Sequence, residues 1–461
     1  MSYRTYILSL MPRHEGERYR EGRGDCDRMN SKPTLDSGSL KIQKLVPRTK
    51  EQSPGTVTAA AGGTAPVSDV VPAANETVPA SHELAEIDAT AETSVTAPIS
   101  NETAAISPAP AISKAPTRTA ATAAKKEHKS ARPERGGQAT LIEAIRQGIW
   151  EEMERDPTVF VIGEDVGAYG GAFKVTDGLL DEFGNGRVID TPISEAAIVG
   201  AACGAGLMGM KAVAEFQFID FISAGFDLLT NYAAKCRYRW GANVPAVFRG
   251  PCGSGVRSGP FHSLNAEAFF LNTAGLKIVE PSTAYDAKGL IKAAIRDPDP
   301  VLYFEHKKLY RLPRLREELP ADDYIVEIGK ARTAREGRDL TIITFGAMVL
   351  TALDAAEELE KEGLDVEVID LRTLAPMDKP AILASVKKTN RVIVLHEASR
   401  TGGIGGEIAA IIAEEAFEWL DAPVLRVASL DTPVPYSPPL EDYYLPQTKD
   451  VLDAARKLAA Y

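Results

Sequence analysis

Glu195 stands in DTPISEAAIVGAACGAGLM (190–208), at the head of a segment that is small and apolar on every side and therefore reads as a buried helix. A carboxylate in its first turn can simply favour the helix dipole and the free backbone donors. It can equally be a buried acid that holds, or exchanges a proton with, a heterocycle. Glu164 and Asp165 follow VFVIG, at the carboxyl end of an expected parallel strand, where open α/β sheets gather their sites; a solvated turn is the plainer alternative. His262 lies in GSGVRSGPFHS, a loop turned by glycines, and is one of two histidines between 138 and 310. Phe216, Phe218 and Phe221 could be strand and loop core, or one could be a platform for a flat ring.

Two further features are weaker. TGGIGGEI (401–408) follows an expected strand and opens a helix, and Gly403 and Gly405 have the spacing of the first two glycines of GxGxxG. Ile408 occupies the third place, so the close helix packing of that dinucleotide fingerprint is lost. Lys307 and Lys308 read as a solvated face.

The elements that must position these residues begin at Thr140, an N-cap ahead of Leu141, Ile142, Ile145, Ile149 and Met153 at helical spacing. Short apolar runs then alternate with helical stretches. Strands are expected at 159–162, 212–218, 244–248, 277–279 and 301–304, with helices at 194–208, 226–238 and 284–295. A charged, proline-punctuated stretch, HKKLYRLPRLREELPADD (306–323), interrupts the series as an interdomain connection. A second unit follows, with strands at 340–345, 366–370, 391–395 and 424–427 and helices at 348–361, 404–416 and 449–460. This alternation gives two α/β domains with mostly parallel sheets covered on both faces.

The 461 residues hold 3 Trp, 14 Tyr and 14 Phe, yet only Tyr3, Tyr6 and Tyr19 precede Trp150. Residues 1–137 are rich in Ala, Pro and Thr, have little that is large to bury, and are expected to be a disordered tail. They carry 18 basic and 16 acidic side chains, which leaves 34 against 48 in the remainder. A body of net charge −14 argues against nucleic acid and for basic docking partners. Cys26, Cys203, Cys236 and Cys252 form no CxxC pair, so neither a disulfide framework nor a zinc site is expected. No run approaches a membrane span or a signal-peptide core, and a cytoplasmic protein is expected, or a mitochondrial-matrix one in a eukaryote. NET at Asn75 and Asn101 matches the glycosylation sequon but reads as chance in a Thr-rich tail.

Taken in order, GEDV (163–166), DTPISE (190–195), AEFQF (214–218), AGLKIV (274–279), DAKGLI (286–291), DLRTLAP (370–376) and DTPVP (431–435) resemble the β subunit of thiamine-diphosphate-dependent 2-oxo acid dehydrogenases, the branched-chain 2-oxo acid and pyruvate dehydrogenase family. The resemblance runs from about Thr140 to Tyr461 and leaves the tail unexplained; no lipoyl-type DKA turn occurs in 1–137. It implies a transketolase-like pyrimidine-binding domain at 138–310, a linker at 311–330 and a transketolase C-terminal domain at 331–461. It also implies a heterotetramer of two α and two β chains.

In that resemblance Glu195 matches the carboxylate that hydrogen-bonds the aminopyrimidine of the cofactor and so favours its imino tautomer, whose nitrogen removes the thiazolium proton. Phe221 matches an aromatic position against that ring, and Glu164 an acidic position near it. His262 matches a histidine implicated in acyl transfer to a lipoyl arm, although the family often reads HSQ where this chain has His262, Ser263 and Leu264. Backbone carbonyls of Ala294, Asp297 and Asp299 match ligands of a structural potassium ion. No GDG-plus-Asn motif occurs, so magnesium and the diphosphate are left to an α subunit.

The resemblance implies oxidative decarboxylation in branched-chain amino acid catabolism, suggested by AEFQFIDF and FEHKKLYR, with a pyruvate or acetoin dehydrogenase β subunit as the alternative. From other classes, a nucleotide-binding oxidoreductase using Gly402 to Gly406 and a non-catalytic scaffold stay open. The dihydrolipoyl acyltransferase core is the further expected partner, with Glu441, Asp442, Asp450 and the Tyr461 carboxylate as candidate docking acids.

Overall fold

The computed structural model describes residues 132–461. The expected tail lies outside the described residues as far as 131, but its last residues belong to the body. Arg132 and Arg135 both reach Glu154, at 2.6 and 2.9 Å. The first strand, β1 (Gly137–Ala139), pairs with β8 (Glu317–Leu319), inside the expected linker.

Between them run β2 (Val159–Gly163), β3 (Val188–Asp190), β4 (Lys211–Glu215), β5 (Ala246–Cys252), β6 (Lys277–Val279) and β7 (Val301–His306). The second unit supplies β9 (Arg332–Arg335), β10 (Leu340–Thr344), β11 (Val366–Asp370), β12 (Thr373–Ala375), β13 (Val392–Ser399) and β14 (Leu425–Ser429). One sheet has the order β12-β6-β7-β5-β4-β2-β3 and the other β14-β13-β10-β11-β9. Every residue of β2, β5, β7, β10 and β11 is buried, as expected of parallel strands covered on both faces, and their few charged residues, such as Arg249, Glu305 and Asp370, are buried with them.

The parallel α/β expectation holds, with edges the periodicity did not reveal. β9 and β12 pair antiparallel, and β12, from the second unit, adds itself to β6 of the first. Three residues after β11 are too few to carry a pattern, yet they tie the two sheets together.

Helix Leu141–Arg155 packs on helix Ala284–Arg296. Its cap is the expected Thr140, whose backbone amide donates to Glu143 at 2.8 Å. A Cβ on Gly148 would come within 2.4 Å of Ile291, so glycine sets how closely these helices approach.

The helix expected at 226–238 forms but is irregular: helical backbone runs unbroken to Trp240, with a π-helical stretch Leu228–Tyr232 and a 3-10 turn Ala233–Lys235 ahead of Cys236–Trp240, and a 3-10 stretch Ile219–Gly225 precedes it. Thr230 Oγ1 donates to the Phe226 carbonyl at 2.8 Å, competing for the acceptor a regular helix would use. Helix Glu195–Leu207 is not buried all round. Ile198, Val199, Ala202, Cys203 and Gly206 face the core, whereas Ala197, Ala201 and Gly204 are exposed, and Ile193 and Met208 at its two ends are each 84% exposed. Nothing else among the described residues covers that small, apolar face. Lys307 is no solvated side chain: it is buried and donates to the carbonyls of Cys252 and Gly253, while Lys308 is exposed.

Candidate active site

Strands β5, β4, β2 and β3 are neighbours, and the expected site residues follow their carboxyl ends. Glu164 is the residue after β2. Its carboxylate is buried, and Oε1 has no hydrogen-bond partner. Burial first, and the adjacent Glu195 carboxylate second, raise the Glu164 pKa, while the Ser194 backbone donates to it and opposes the rise. Asp165 is exposed, adopts a left-handed φ of 58° and accepts from Gln217 at 3.0 Å. Glu195 enters through the turn after β3, where the Thr191 amide donates to the Gly163 carbonyl, so β2 and the Glu195 helix are tied at their ends.

After β4, Phe218 and Phe221 flank a short turn; Phe216 is core, 1% exposed. The His262 ring stands edge-on to both, its centroid 4.3 Å from Phe218 and 5.8 Å from Phe221. The structure therefore brings His262 onto Phe221, and Glu164 beside Glu195, along one edge of the sheet.

The His262 loop is held by residues that the sequence reading missed. Gly253, Gly255, Arg257 and Gly259 are left-handed in alternation, with φ of 81°, 83°, 63° and 67°. Such alternation turns successive amides toward one side as an anion-binding nest. Here the anions are carboxylates of the second unit. The Ser254 amide donates to Glu397 at 2.6 Å and the Gly255 amide to Glu441 at 2.8 Å. From the other side Asp220 accepts the amides of Ser263 and Leu264, both at 3.1 Å.

Glu397 also meets His306 Nε2 at 2.8 Å and the Asn265 amide at 3.0 Å. Burial alone would raise its pKa; His306 and these donors outweigh that and bring it to about 2. Glu397 closes VIVLHE as Glu164 closes VFVIGE, so the signal that found one carboxylate at the end of an apolar parallel strand was present for the other.

Glu441 is likewise not a solvated docking acid. It is buried and pairs with Arg257 at 2.8 Å, and Asp442 meets the same guanidinium at 2.8 Å. Asp450 accepts the Gln447 amide at 2.8 Å.

Around the expected potassium ligands, the Ala294 carbonyl accepts the Asp297 amide at 3.2 Å. Lys277 neutralises Asp297 at 2.6 Å and Asp299 at 3.2 Å, and Arg237 also pairs with Asp299. Only backbone oxygen is left there to offer a cation. Among the described residues no group of three His, Cys, Asp or Glu side chains could hold a metal ion, and no helix is long and apolar enough to cross a membrane.

The 401–408 glycines have a packing explanation. A Cβ on Gly403 would lie 2.5 Å from the His396 ring, and one on Gly405 2.7 Å from it. Thr401 is fastened to Asp431 through its amide (2.8 Å) and hydroxyl (2.7 Å). These glycines let a helix start close to a buried histidine.

Comparison with known proteins agrees with this arrangement. Residues 137–313 match the transketolase pyrimidine-binding domain and residues 329–451 the transketolase C-terminal domain. The chain is 50% identical over 327 residues to the 2-oxoisovalerate dehydrogenase subunit beta of Bacillus subtilis (strain 168), covering 70% of this chain and 99% of the relative. It is 47% identical over 326 residues to the pyruvate dehydrogenase E1 component subunit beta of the same organism, with the same coverage. A solved split-gene transketolase, an inactive β4 tetramer, shares the fold at a TM-score of 0.58 and 24% identity, over 70% of this chain and 99% of that one. Two domain matches in the expected order and half-identity across whole β subunits lead to one conclusion: the chain belongs to the β-subunit family of the 2-oxo acid dehydrogenases, with a transketolase-like fold.

Proposed function

We propose that this chain, joined by an α subunit as two α and two β chains, catalyses oxidative decarboxylation of a 2-oxo acid and passes the acyl group to lipoyl groups of an acyltransferase core. The observation that carries the reading is the gathering of Glu164, Glu195, Phe221 and His262 at the ends of four neighbouring parallel strands, with a buried Glu164 oxygen left without a donor. These residues fit thiamine diphosphate: an aminopyrimidine ring has a flat face for Phe221 and a ring nitrogen that, once protonated, can donate to a carboxylate. When bound, the cofactor supplies the acidic thiazolium carbon that adds to the 2-oxo group.

The chain's own residues orient and protonate. Glu195 holds the ring-nitrogen edge and stabilises its protonated form. Glu164 lies beside it, and burial first and the Glu195 charge second raise its pKa. Phe218 and Phe221 hold the His262 imidazole edge-on, where it can deliver or accept a proton at the sulfur of the acyl acceptor. The α subunit would supply the diphosphate and magnesium ligands, and the uncovered face of the Glu195 helix suits a second chain. A potassium ion on the carbonyls of Ala294, Asp297 and Asp299 is proposed from the family resemblance alone. The same resemblance supports a cytoplasmic enzyme, or a matrix one in a eukaryote.

Branched-chain 2-oxo acids are the favoured substrates, supported by the slightly higher identity to the 2-oxoisovalerate relative; pyruvate or acetoin is the second reading. Co-expression with an α subunit, followed by turnover of 3-methyl-2-oxobutanoate, pyruvate and acetoin, decides among them. Thiamine diphosphate should bind only when the α chain is present. Tight binding by this chain alone would contradict the shared site.

A further inference from the structure

Lys307 is only 7% exposed, and the site described above makes no use of it. It follows β7, which runs beside β5 with His306 opposite Cys252. Its ammonium group therefore sits over the carboxyl end of β5, where it donates to the Cys252 carbonyl at 3.2 Å and to the Gly253 carbonyl. Those two residues open the His262 loop. The far end of the loop returns to the same point, because the Gly253 amide donates to the Leu264 carbonyl at 3.1 Å. Lys307 thus holds the place where the loop closes.

Three carboxylates hold the amides of this loop: Asp220 those of Ser263 and Leu264, Glu397 that of Ser254 and Glu441 that of Gly255. Glu397 is paired with His306, and Glu441 with Arg257. Asp220 Oδ2 is buried with no hydrogen-bond donor. Carboxylates gathered away from water repel one another unless a cation offsets them. Lys307 faces all three. Burial lowers its pKa, and Cys252 and then the Glu397, Asp220 and Glu441 carboxylates oppose the fall. We infer that Lys307 is a positioning residue for the acyl-transfer step: its ammonium group grips the base of the His262 loop, offsets the three carboxylates that hold the loop amides, and so keeps the imidazole edge-on to Phe218. This role rests on the reading of His262 as the residue of acyl transfer.

The test uses the assembled heterotetramer with K307Q, which keeps a donor without the charge, and K307R, which keeps both; a cavity of about 520 Å³ lined in part by Lys307 leaves room for the longer side chain. With an isolated lipoyl domain as acceptor, kcat for acyl transfer by K307Q should fall by about tenfold, while KM for the 2-oxo acid and turnover with an artificial electron acceptor stay within about threefold of wild type. K307R should return transfer to within about threefold of wild type. A loosened loop also exposes its histidine, so diethyl pyrocarbonate should modify His262 about threefold faster in K307Q than in wild type, as read by mass spectrometry. Wild-type transfer by K307Q, equal losses in the two turnover assays, a K307R no better than K307Q, or an unchanged rate of His262 modification would each overturn the proposal. K307M takes the place of K307Q if that variant does not assemble, with the same outcomes expected. Absence of any 2-oxo acid turnover by the wild-type heterotetramer would count against the parent reading instead, and the modification rates would still decide the part played by Lys307.

Discussion

Arg257 and Glu441, 184 residues apart, face each other at 2.8 Å, and through that contact the C-terminal domain shapes the loop that carries His262. The Arg257 backbone is left-handed at φ 63°, a conformation that non-glycine residues rarely adopt, and Glu441 holds both its guanidinium and the nearby Gly255 amide. The His262 loop is therefore positioned by carboxylates that lie far from it in sequence.

Removing that support should be costly from the buried side and mild from the exposed one. Glu441→Ala leaves the Gly255 amide without its acceptor and is expected to destabilise the protein by roughly 2 kcal/mol, whereas Arg257→Ala, from a partly exposed partner, should lose less. Denaturant melts of both variants and the double mutant measure the coupling. Additive losses would show that the pair does not act as a unit.

Arg249 is fully buried between two acids, Glu215 and Glu305, and Tyr310 donates to Glu305 at 2.6 Å. Arg249→Met should cost roughly 3 to 5 kcal/mol, because it strands two buried carboxylates at the core of the first sheet. Soluble expression and thermal melting check this; a stable variant with wild-type Tm would contradict it.

A pH effect is expected at the seam between the two domains. Burial, with a smaller contribution from Glu397, pushes Glu267 up to about 7; Glu280 and Cys252 also face this acidic cluster. Folding holds a proton there that the unfolded chain releases above about 4.5, so this contribution is present in full below that pH and is lost as pH rises to about 7. His396, brought down to about 4 by burial, acts in the opposite sense, losing stability as pH falls below about 6.5. The difference between wild type and Glu267→Gln isolates the acid: the variant should gain on wild type between pH 5 and pH 8, by roughly 2 kcal/mol. Parallel stability curves would contradict a raised Glu267.

Deletion of residues 1–131 should leave the Tm of the heterotetramer within about 2 °C, because that segment has only three aromatic side chains and is dominated by Ala, Pro, Thr and Ser. Deletion through residue 139 should lower it measurably. It removes β1 and both arginines on Glu154. Equal melting of the two truncations would show that this N-terminal strand adds nothing.

Much of the fold was legible because parallel strands buried on both faces are short, apolar and well separated; 277–279 and 366–370 match β6 and β11 to the residue. The edge strands β3, β9 and β12 were not, since three or four residues with mixed polarity carry no period. The helix expected at 226–238 was found, but its π and 3-10 irregularities were not, because side-chain competition for backbone acceptors leaves no trace in hydrophobic spacing. Of the site, Glu164 and His262 could be singled out from strand ends and glycines. Asp220, Glu397 and Glu441 act across loops and domains, and only the tertiary structure joins them to the histidine. Glu195 was found, but its exposed helix face was not, because small apolar residues look the same to the sequence whether a core or another chain covers them.

The most direct test of the account is turnover by the heterotetramer carrying Glu195→Gln, with cofactor content and assembly measured in the same preparation. An amide keeps the shape but cannot stabilise a protonated ring nitrogen as a carboxylate does, so decarboxylation with an artificial electron acceptor should fall by about 100-fold or more while assembly and melting stay at wild-type values. Near-normal turnover by a fully assembled, cofactor-loaded Glu195→Gln enzyme would contradict the site as placed here.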